Sequence, residues 1–258
     1  MRARSILPWR VLLGMPYGTY TAATPEGGAP EDPAGAIDVF RHLVTHGDSV
    51  WLRPWPLAYK LPSELGGKPN ETSVIDLAGG AEAALAGMEG VTRRMAGQAE
   101  RRGIVCESAS GPAAVAEYYA MLEAAARGWG LLEPTISRAL LEAVVDAGKQ
   151  DVEIWFARYE GQSVAGGVVL YGAQELFFWS AAMRSEFATL RPSNALNVAL
   201  IKAAAARGVR WYNLGSSEGL SGVKRFKEGL GATEVRYYSV GRDKPLYRAY
   251  SRLRGSRR

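Results

Sequence analysis

Cysteine and histidine are scarce in this sequence, and their scarcity excludes several kinds of site. The single cysteine, Cys106, has no second thiol with which to form an intramolecular disulfide, which fits a reducing cytosol. Beside it stand only two histidines, His42 and His46, so the chain offers no credible zinc constellation and we expect no bound metal. We therefore look for chemistry that needs neither a disulfide nor a metal.

Long apolar runs are also missing. No stretch reaches about 18 consecutive apolar residues, so we predict no transmembrane helix. The basic and then apolar N-terminus is interrupted by Pro8, Trp9 and Arg10, and we interpret it as a strand rather than a secretory signal. The sequence has neither a Ser-His-Asp arrangement nor a P-loop, so a hydrolase or a kinase finds no support. We expect a cytoplasmic protein.

Positive charge is in excess, with 31 Lys and Arg against 26 Asp and Glu, a net charge of +5. This balance suits an anionic partner such as tRNA, a nucleotide-linked substrate or a membrane surface. The C-terminal tail, residues 241–258, is a candidate RNA-contacting arm, with a solubilising end as the alternative. Its basic residues are Arg242, Lys244, Arg248, Arg252, Arg254, Arg257 and Arg258.

The most informative stretch spans residues 191–231. It predicts a turn at residues 191–194, a helix over 195–207, a short strand over 209–214, a polar loop over 215–219 and a basic helix over 221–230. We expect Ser193 to cap the first helix and Gly208 to end it. An anionic donor fits between the start of the first helix and the basic helix. A βαβ-like unit with a solvated basic helix is the alternative.

The rest of the chain reads as alternating helices and strands. In the second half we predict helices over 112–127 and 134–147, with Pro134 or Thr135 at the start, and strands over 153–159, 163–171 and 175–181. In the first half we predict strands over 11–20, 49–53 and 73–77, a helix over 32–46, and one long basic helix over 81–102. That last helix is either an anion-binding ridge or a solvated cationic face.

Part of the chain resembles the second half of the Fem-type (FemAB-like) aminoacyltransferases, which belong to the GNAT superfamily. The resemblance lies in residues 194–199, 211–215 and 222–232. The run VKRFKEGLGA at 223–232 is the most specific part, and MPYGTY at 15–20 is similar to a motif in the first half of that family. The resemblance implies an α/β GNAT fold built from tandem GNAT-like halves. Residues 1–78 are then a shortened first half, 79–110 a connecting basic helix and linker, and 111–258 the GNAT acyltransferase domain.

The resemblance also assigns candidate site residues. Lys227 matches the family lysine thought to stabilise the tetrahedral intermediate or the donor ester. Acyl transfer needs a hydrogen-bond donor for the developing oxyanion and a base that takes the proton of the amine. Surface charge is the alternative for the cations, and an exposed turn is the alternative for Glu218. The candidate catalytic residues are Lys227, Phe226 and Glu218; the donor-binding ones are Arg191, Ser193, Asn194, Lys224 and Arg225; the acceptor-cleft ones are Tyr17, Tyr20, Trp179, Asn213, Ser216 and Ser217.

The donor decides between functions. Acyl-CoA enzymes of the superfamily usually carry a glycine-containing pyrophosphate loop, whereas residues 191–195 read RPSNA. This difference favours aminoacyl-tRNA as co-substrate, with no further cofactor, and an amine acceptor that is a cell-wall precursor or a small metabolite. The alternatives are an acyl-CoA-dependent N-acyltransferase and a non-catalytic module associated with RNA or a membrane. Peripheral membrane contact and the oligomeric state stay open.

Overall fold

A computed structural model describes residues 2–6, 9–13, 49–52, 68–172, 174–217 and 219–242, together with the single positions 38, 41, 42 and 245. The chain divides into two compact units. One comprises Met1–Thr72 and Val235–Arg258, and the other comprises Ser73–Glu234. The predicted residues Tyr17, Tyr20 and Glu218 lie outside the described residues, as does most of the C-terminal tail.

The described strands and helices follow the predicted order, except that the strand Val105–Ala109 was not predicted and the helix predicted over 81–102 is two helices. The strands are β1 Arg2–Ile6, β2 Trp9–Leu13, β3 Ser49–Leu52, β4 Lys68–Asp76, β5 Val105–Ala109, β6 Val152–Tyr159, β7 Gln162–Tyr171, β8 Glu175–Met183, β9 Trp211–Asn213 and β10 Thr233–Arg242. The helices are α1 Gly80–Ala86, α2 Gly90–Arg101, α3 Gly111–Gly128, α4 Arg138–Gly148, α5 Pro192–Ala206 and α6 Ser221–Gly229. Short 3-10 turns occupy Lys149–Asp151 and Ser185–Leu190.

The larger unit contains a sheet in the order β4-β9-β8-β7-β6-β5. Its neighbours are antiparallel, except that β8 and β9 run parallel. The β6–β7 hairpin turns at Glu160 and Gly161, which have φ of 49° and 78°, so the predicted turn there is confirmed. This mixed sheet with crossing helices is the expected α/β arrangement.

Two apolar clusters cover this sheet. One includes Tyr118 and Leu122 of α3 and Leu141 of α4, packed with Ile154 and Phe156 of β6. The other cluster contains side chains of α1, α2, α5 and the segment after α6. Nine residues of α5 are buried, because its sequence is apolar almost all round, as expected of a central helix.

The smaller unit is described through its strands. β1 and β2 form an antiparallel hairpin, β2 pairs with β3 in parallel, and β3 pairs with β10 in antiparallel register. Residues 11–13 of the strand predicted over 11–20 belong to β2, the second arm of a hairpin. Residues 14–20, like most of the helix predicted over 32–46, lie outside the described residues. That this region is a shortened GNAT-like half stays a prediction.

Three local predictions need correction. The stretch 81–102 forms two helices, α1 and α2, because Gly87 to Glu89 interrupt the helical backbone. These helices pack against α5 in the larger unit, so the segment predicted as a connector contributes Ala84, Ala96 and Ala99 to the core. In α4, neither Pro134 nor Thr135 is the cap, since Ser137 Oγ accepts the Leu140 N–H at 3.3 Å.

Among the described residues, no helix combines the length and the apolar character needed to cross a bilayer.

Candidate functional site

The candidate site lies where the parallel strands β8 and β9 separate. Their register runs from Glu175–Trp211 to Phe177–Asn213, where β9 ends while β8 continues to Met183. The chain after β9 turns away at Gly215, whose φ is 73°. Residues 214–217 follow β9 directly at the point where the two strands separate. We call residues 215–217 the site loop.

Asn213 fixes the start of the site loop. Its side chain is fully buried, its Oδ1 accepts the Gly215 N–H at 2.9 Å, and its Nδ2 donates to the buried carboxylate of Glu175. We predicted Asn213 to line the acceptor cleft. Because both ends of its amide are engaged inside the protein, the structure gives Asn213 the task of holding the site loop in place.

Lys227 of α6 holds the same loop from the other side. Only 6% of the residue is exposed, and its Nζ donates to the carbonyl oxygens of Gly215 and Ser216, each at 2.9 Å. The neighbouring Phe226 packs against the core. A buried ammonium needs such acceptors, because an unpaired charge would be costly there. Lys227 is therefore a positioning residue for the loop, and its predicted part in the chemistry stays a prediction.

The first turn of α5 lies beyond the end of β8. Arg191 adopts the left-handed conformation at φ 59°, and Pro192 begins the helix. We predicted Ser193 as the N-cap. Instead Ser193 lies inside the helix and its Oγ donates to Met183 Sδ at 3.3 Å, because the left-handed Arg191 takes the cap position. Among the described residues, the buried side chain of Asn194 makes no hydrogen bond.

A buried hydrogen-bond chain connects α5 to β9. Tyr212 donates its hydroxyl to Asn197 Oδ1 at 2.7 Å, and Asn197 Nδ2 donates to the Ser193 carbonyl at 2.8 Å. Burial raises the pKa of Tyr212 well above its ordinary value, so this hydroxyl stays a donor across the physiological range. Neither Tyr212 nor Asn197 was among the predicted site residues. The polar positions Asn194 and Asn197 in an otherwise apolar helix were the available signal.

Two basic residues of α6, Lys224 and Arg225, are paired with carboxylates. Lys224 Nζ lies 2.6 Å from Glu234 Oε2, and Arg225 lies 3.3 Å from Glu89 Oε1. A donor phosphate would have to compete with these acids for either cation. Arg191 is exposed beside the first turn of α5, and no ion pair joins it to another described residue.

Trp179 lies away from the other predicted site residues. The β7–β8 register passes from Val168–Ser180 to Val169–Phe178, so Trp179 forms a β-bulge, and its ring packs against the cluster of α3 and α4. Phe226 belongs to the other cluster. The structure thus brings together Lys227, Asn213 and Ser216, and places Trp179 with a different layer. Ser217 is buried within the site loop.

Two exposed apolar side chains at the start of α6 were not predicted. Leu220 is 61% exposed and Val223 is 38% exposed, just before and within the first turn of α6. Two cavities lie elsewhere: one of about 800 Å³ beside the start of α3 and the end of α4, and one of about 510 Å³ between α1, α2 and α5. No predicted site residue lines either cavity.

Comparison with known proteins gives the family. The profile of the family described as "Acetyltransferase (GNAT) domain" matches residues 88–228, more than half of the chain. No curated protein matches the sequence significantly.

Among solved structures, FemX superposes with a TM-score of 0.60 at 13% identity, over 69% of this chain and 63% of that one. The C-terminal domain (DUF2156) of a putative lysylphosphatidylglycerol synthetase from Agrobacterium fabrum superposes with a TM-score of 0.58 at 14% identity, over 85% of this chain and 77% of that one. Similarity at these identities shows the fold alone, and the match spans less than two thirds of FemX.

Three findings confirm the predicted GNAT fold. They are the parallel β8–β9 pair that separates at Asn213, the helix α5 that follows β8, and the family match. This chain belongs to the GNAT acetyltransferase-domain family and has the fold of FemX.

Proposed function

We propose that this transferase moves an aminoacyl group from aminoacyl-tRNA to an amine acceptor. The acceptor nitrogen attacks the ester carbonyl, the carbon–oxygen bond to the tRNA ribose breaks, and an amide forms. The attacking amine gives up a proton and the ribose oxygen takes one, so the step needs no further co-reactant. A cell-wall precursor or a small metabolite supplies the amine.

The observation that carries this proposal is the first turn of α5. An ordinary helix start presents unsatisfied N–H groups to a pyrophosphate. Here Pro192 has no N–H, and the Asn194 and Ala195 N–H groups donate to the Arg191 carbonyl at 3.1 and 3.4 Å. Only the Ser193 N–H of this turn is left for a phosphate. A pyrophosphate-bearing donor such as acyl-CoA is therefore poorly served by this backbone.

The resemblance to Fem-type enzymes supports the same donor, because that family departs from the pyrophosphate loop and uses aminoacyl-tRNA. The name of the Agrobacterium fabrum neighbour, a putative lysylphosphatidylglycerol synthetase, also describes an aminoacylated product. The exposed Leu220 and Val223 would give an acceptor an apolar surface at the start of α6. An acyl-CoA-dependent N-acyltransferase is the second candidate, favoured by the family description.

The experiment offers the protein two labelled donor pools, charged tRNAs and acyl-CoAs, with an amine-containing cell extract as acceptor. We expect label to leave tRNA and appear in an alkali-stable amide. If label is lost only from the acyl-CoA pool and not from the tRNA pool, the proposal is refuted and the second candidate is established. Loss of label from neither pool, with RNA still bound, would refute both and favour a non-catalytic module.

A pair of variants links that turnover to the site. Lys227→Met should reduce transfer by about 100-fold or more if the lysine helps to stabilise the developing oxyanion. The control is Lys202→Met, an exposed lysine on α5 that should leave the rate unchanged. Equal rates for the Lys227 variant and the parent chain would remove Lys227 from the mechanism.

A further inference from the structure

The loop that follows α3 exposes three large apolar side chains at neighbouring positions. Trp129 is 61% exposed, Leu131 is 41% exposed and Leu132 is 100% exposed. Single exposed apolar residues are ordinary, but a contiguous group on a soluble protein marks a surface that something covers. We call residues 129–132 the apolar tip.

The backbone of the apolar tip is closed on itself. Leu131 N–H donates to the Ala126 carbonyl at 2.9 Å and Gly130 N–H donates to the Arg127 carbonyl at 3.0 Å, with Gly130 in the left-handed conformation at φ 77°. This is a Schellman ending of α3. Because the N–H groups of residues 129–131 donate to helix carbonyls, the tip can enter an apolar medium without stranding them.

The tip is also firmly seated. Ile136, just beyond it, is buried in the same cluster as α3, and Ser137 then caps α4. The apolar side chains are thus displayed at a fixed position rather than on a loose segment. Leu132 touches so little of the protein that it stands out as a convex point.

Size and shape decide which partner fits. A stable protein–protein contact buries about 800 Å² on each partner, and three side chains on one turn cannot supply that area. A projecting Trp-Gly-Leu-Leu turn can insert into a lipid bilayer, and tryptophan favours the boundary between headgroups and acyl chains. Arg127 is exposed two residues before the tip, and its charge suits lipid phosphates, whereas Glu133 follows directly after the tip.

We propose that the apolar tip docks this protein peripherally on a phospholipid bilayer, with Trp129, Leu131 and Leu132 at the headgroup–acyl boundary. The net charge of +5 adds long-range attraction to anionic lipid. This surface is distinct from the site loop, and the inference does not depend on which donor the enzyme uses.

The test is flotation of the full chain with vesicles of phosphatidylcholine mixed with phosphatidylglycerol, and with vesicles of phosphatidylcholine alone. We expect the parent chain to float with the vesicles and Leu132→Asp to lower the partition coefficient by about tenfold or more. Val105→Asp is the matched control: Val105 is 60% exposed on β5, and its replacement should leave vesicle binding unchanged.

Insertion can be observed directly with an environment-sensitive fluorophore on Leu131→Cys in a Cys106→Ser chain. We expect a blue shift with vesicles. Three results would overturn the proposal: a parent chain that does not float, a Leu132→Asp chain that floats as well as the parent, or a fluorophore that reports water throughout. Sedimentation showing a dimer that Leu132→Asp dissociates, without vesicle binding, would assign the tip to a second copy instead.

Discussion

A single lysine shows how closely function and stability are joined in this site. The buried ammonium of Lys227 donates to two carbonyl groups of the site loop, those of Gly215 and Ser216. A role in the chemistry must therefore be separated from a role in folding. The stability of a Lys227 variant measures the role in folding alone.

Lys227→Met should lower the free energy of unfolding by about 2–3 kcal/mol, because the Gly215 and Ser216 carbonyls lose their donor. Chemical denaturation measures this difference. Lys202→Met, at an exposed position, should change it by less than about 0.5 kcal/mol. If both variants unfold like the parent chain, the two hydrogen bonds of Lys227 contribute nothing to the fold.

The hydroxyl of Tyr212 is the second residue whose removal is informative. Tyr212→Phe leaves Asn197 Oδ1 without its donor in a buried place, so we expect a loss of about 1–3 kcal/mol. Tyr119→Phe is the control, because the Tyr119 hydroxyl makes no hydrogen bond to the described residues and should change stability by less than about 0.5 kcal/mol. Thermal unfolding compares the two, and equal midpoints would contradict the expected loss.

At the scale of elements, the start of α5 shows what sequence patterns leave undetermined. Ser193 has the right chemistry for an N-cap and follows a proline, which made it a reasonable prediction. The structure begins the helix at Pro192, which is itself a favoured first helical residue, and gives the cap to Arg191 in a left-handed conformation. Sequence preference could not choose between the two starts, because Ser193 contacts Met183, which lies on the strand β8 and not in the helix.

Helix α6 seats against α2 at a glycine, and this contact can be tested. A Cβ at Gly229 would lie 2.7 Å from Thr92 Oγ1, whereas a Cβ at Gly222 would meet nothing within 4 Å. We expect Gly229→Ala to destabilise the protein by about 1–3 kcal/mol, since α6 must shift. Gly222→Ala should be neutral or stabilising by up to about 1 kcal/mol, because alanine favours helix.

Denaturation curves of the two alanine variants give the comparison, and the rate of aminoacyl transfer gives a second measure. If α6 shifts, the position of Lys227 moves with it, so Gly229→Ala should also be slower than Gly222→Ala. Identical stabilities would mean that α2 and α6 adjust freely, and would contradict a fixed seat for Lys227.

For the whole molecule, local periodicity predicted most helices and strands in their order, but not the strand β5 or the break between α1 and α2. The α/β fold and the family were predicted from residues 191–232. Long-range facts were not: that α1 and α2 join the core of the larger unit, that Lys224 and Arg225 meet Glu234 and Glu89, and that Trp179 lies in a bulge. Each of these depends on residues distant in sequence, which no local pattern encodes.

Buried tyrosines make the stability of the whole chain depend on alkaline pH. Burial raises the pKa values of Tyr118 and Tyr212 above the ordinary value of 10.0, and raises that of the Cys106 thiol from 9.0 to about 12. A group whose pKa is higher in the folded state binds its proton more tightly there. Its contribution is therefore complete below the unfolded pKa and is lost as pH rises toward the folded pKa.

We expect the free energy of unfolding to fall above about pH 9, with the thiol first, and more steeply above pH 10, where each buried tyrosine adds a slope of about 1.4 kcal/mol per pH unit. Urea unfolding at a series of alkaline pH values measures this slope. Tyr212→Phe should be less stable than the parent at neutral pH yet lose stability less steeply above pH 10, so the two curves converge. Parallel curves would show that the Tyr212 hydroxyl ionises as easily in the folded chain as in the unfolded one, and would contradict its burial against Asn197.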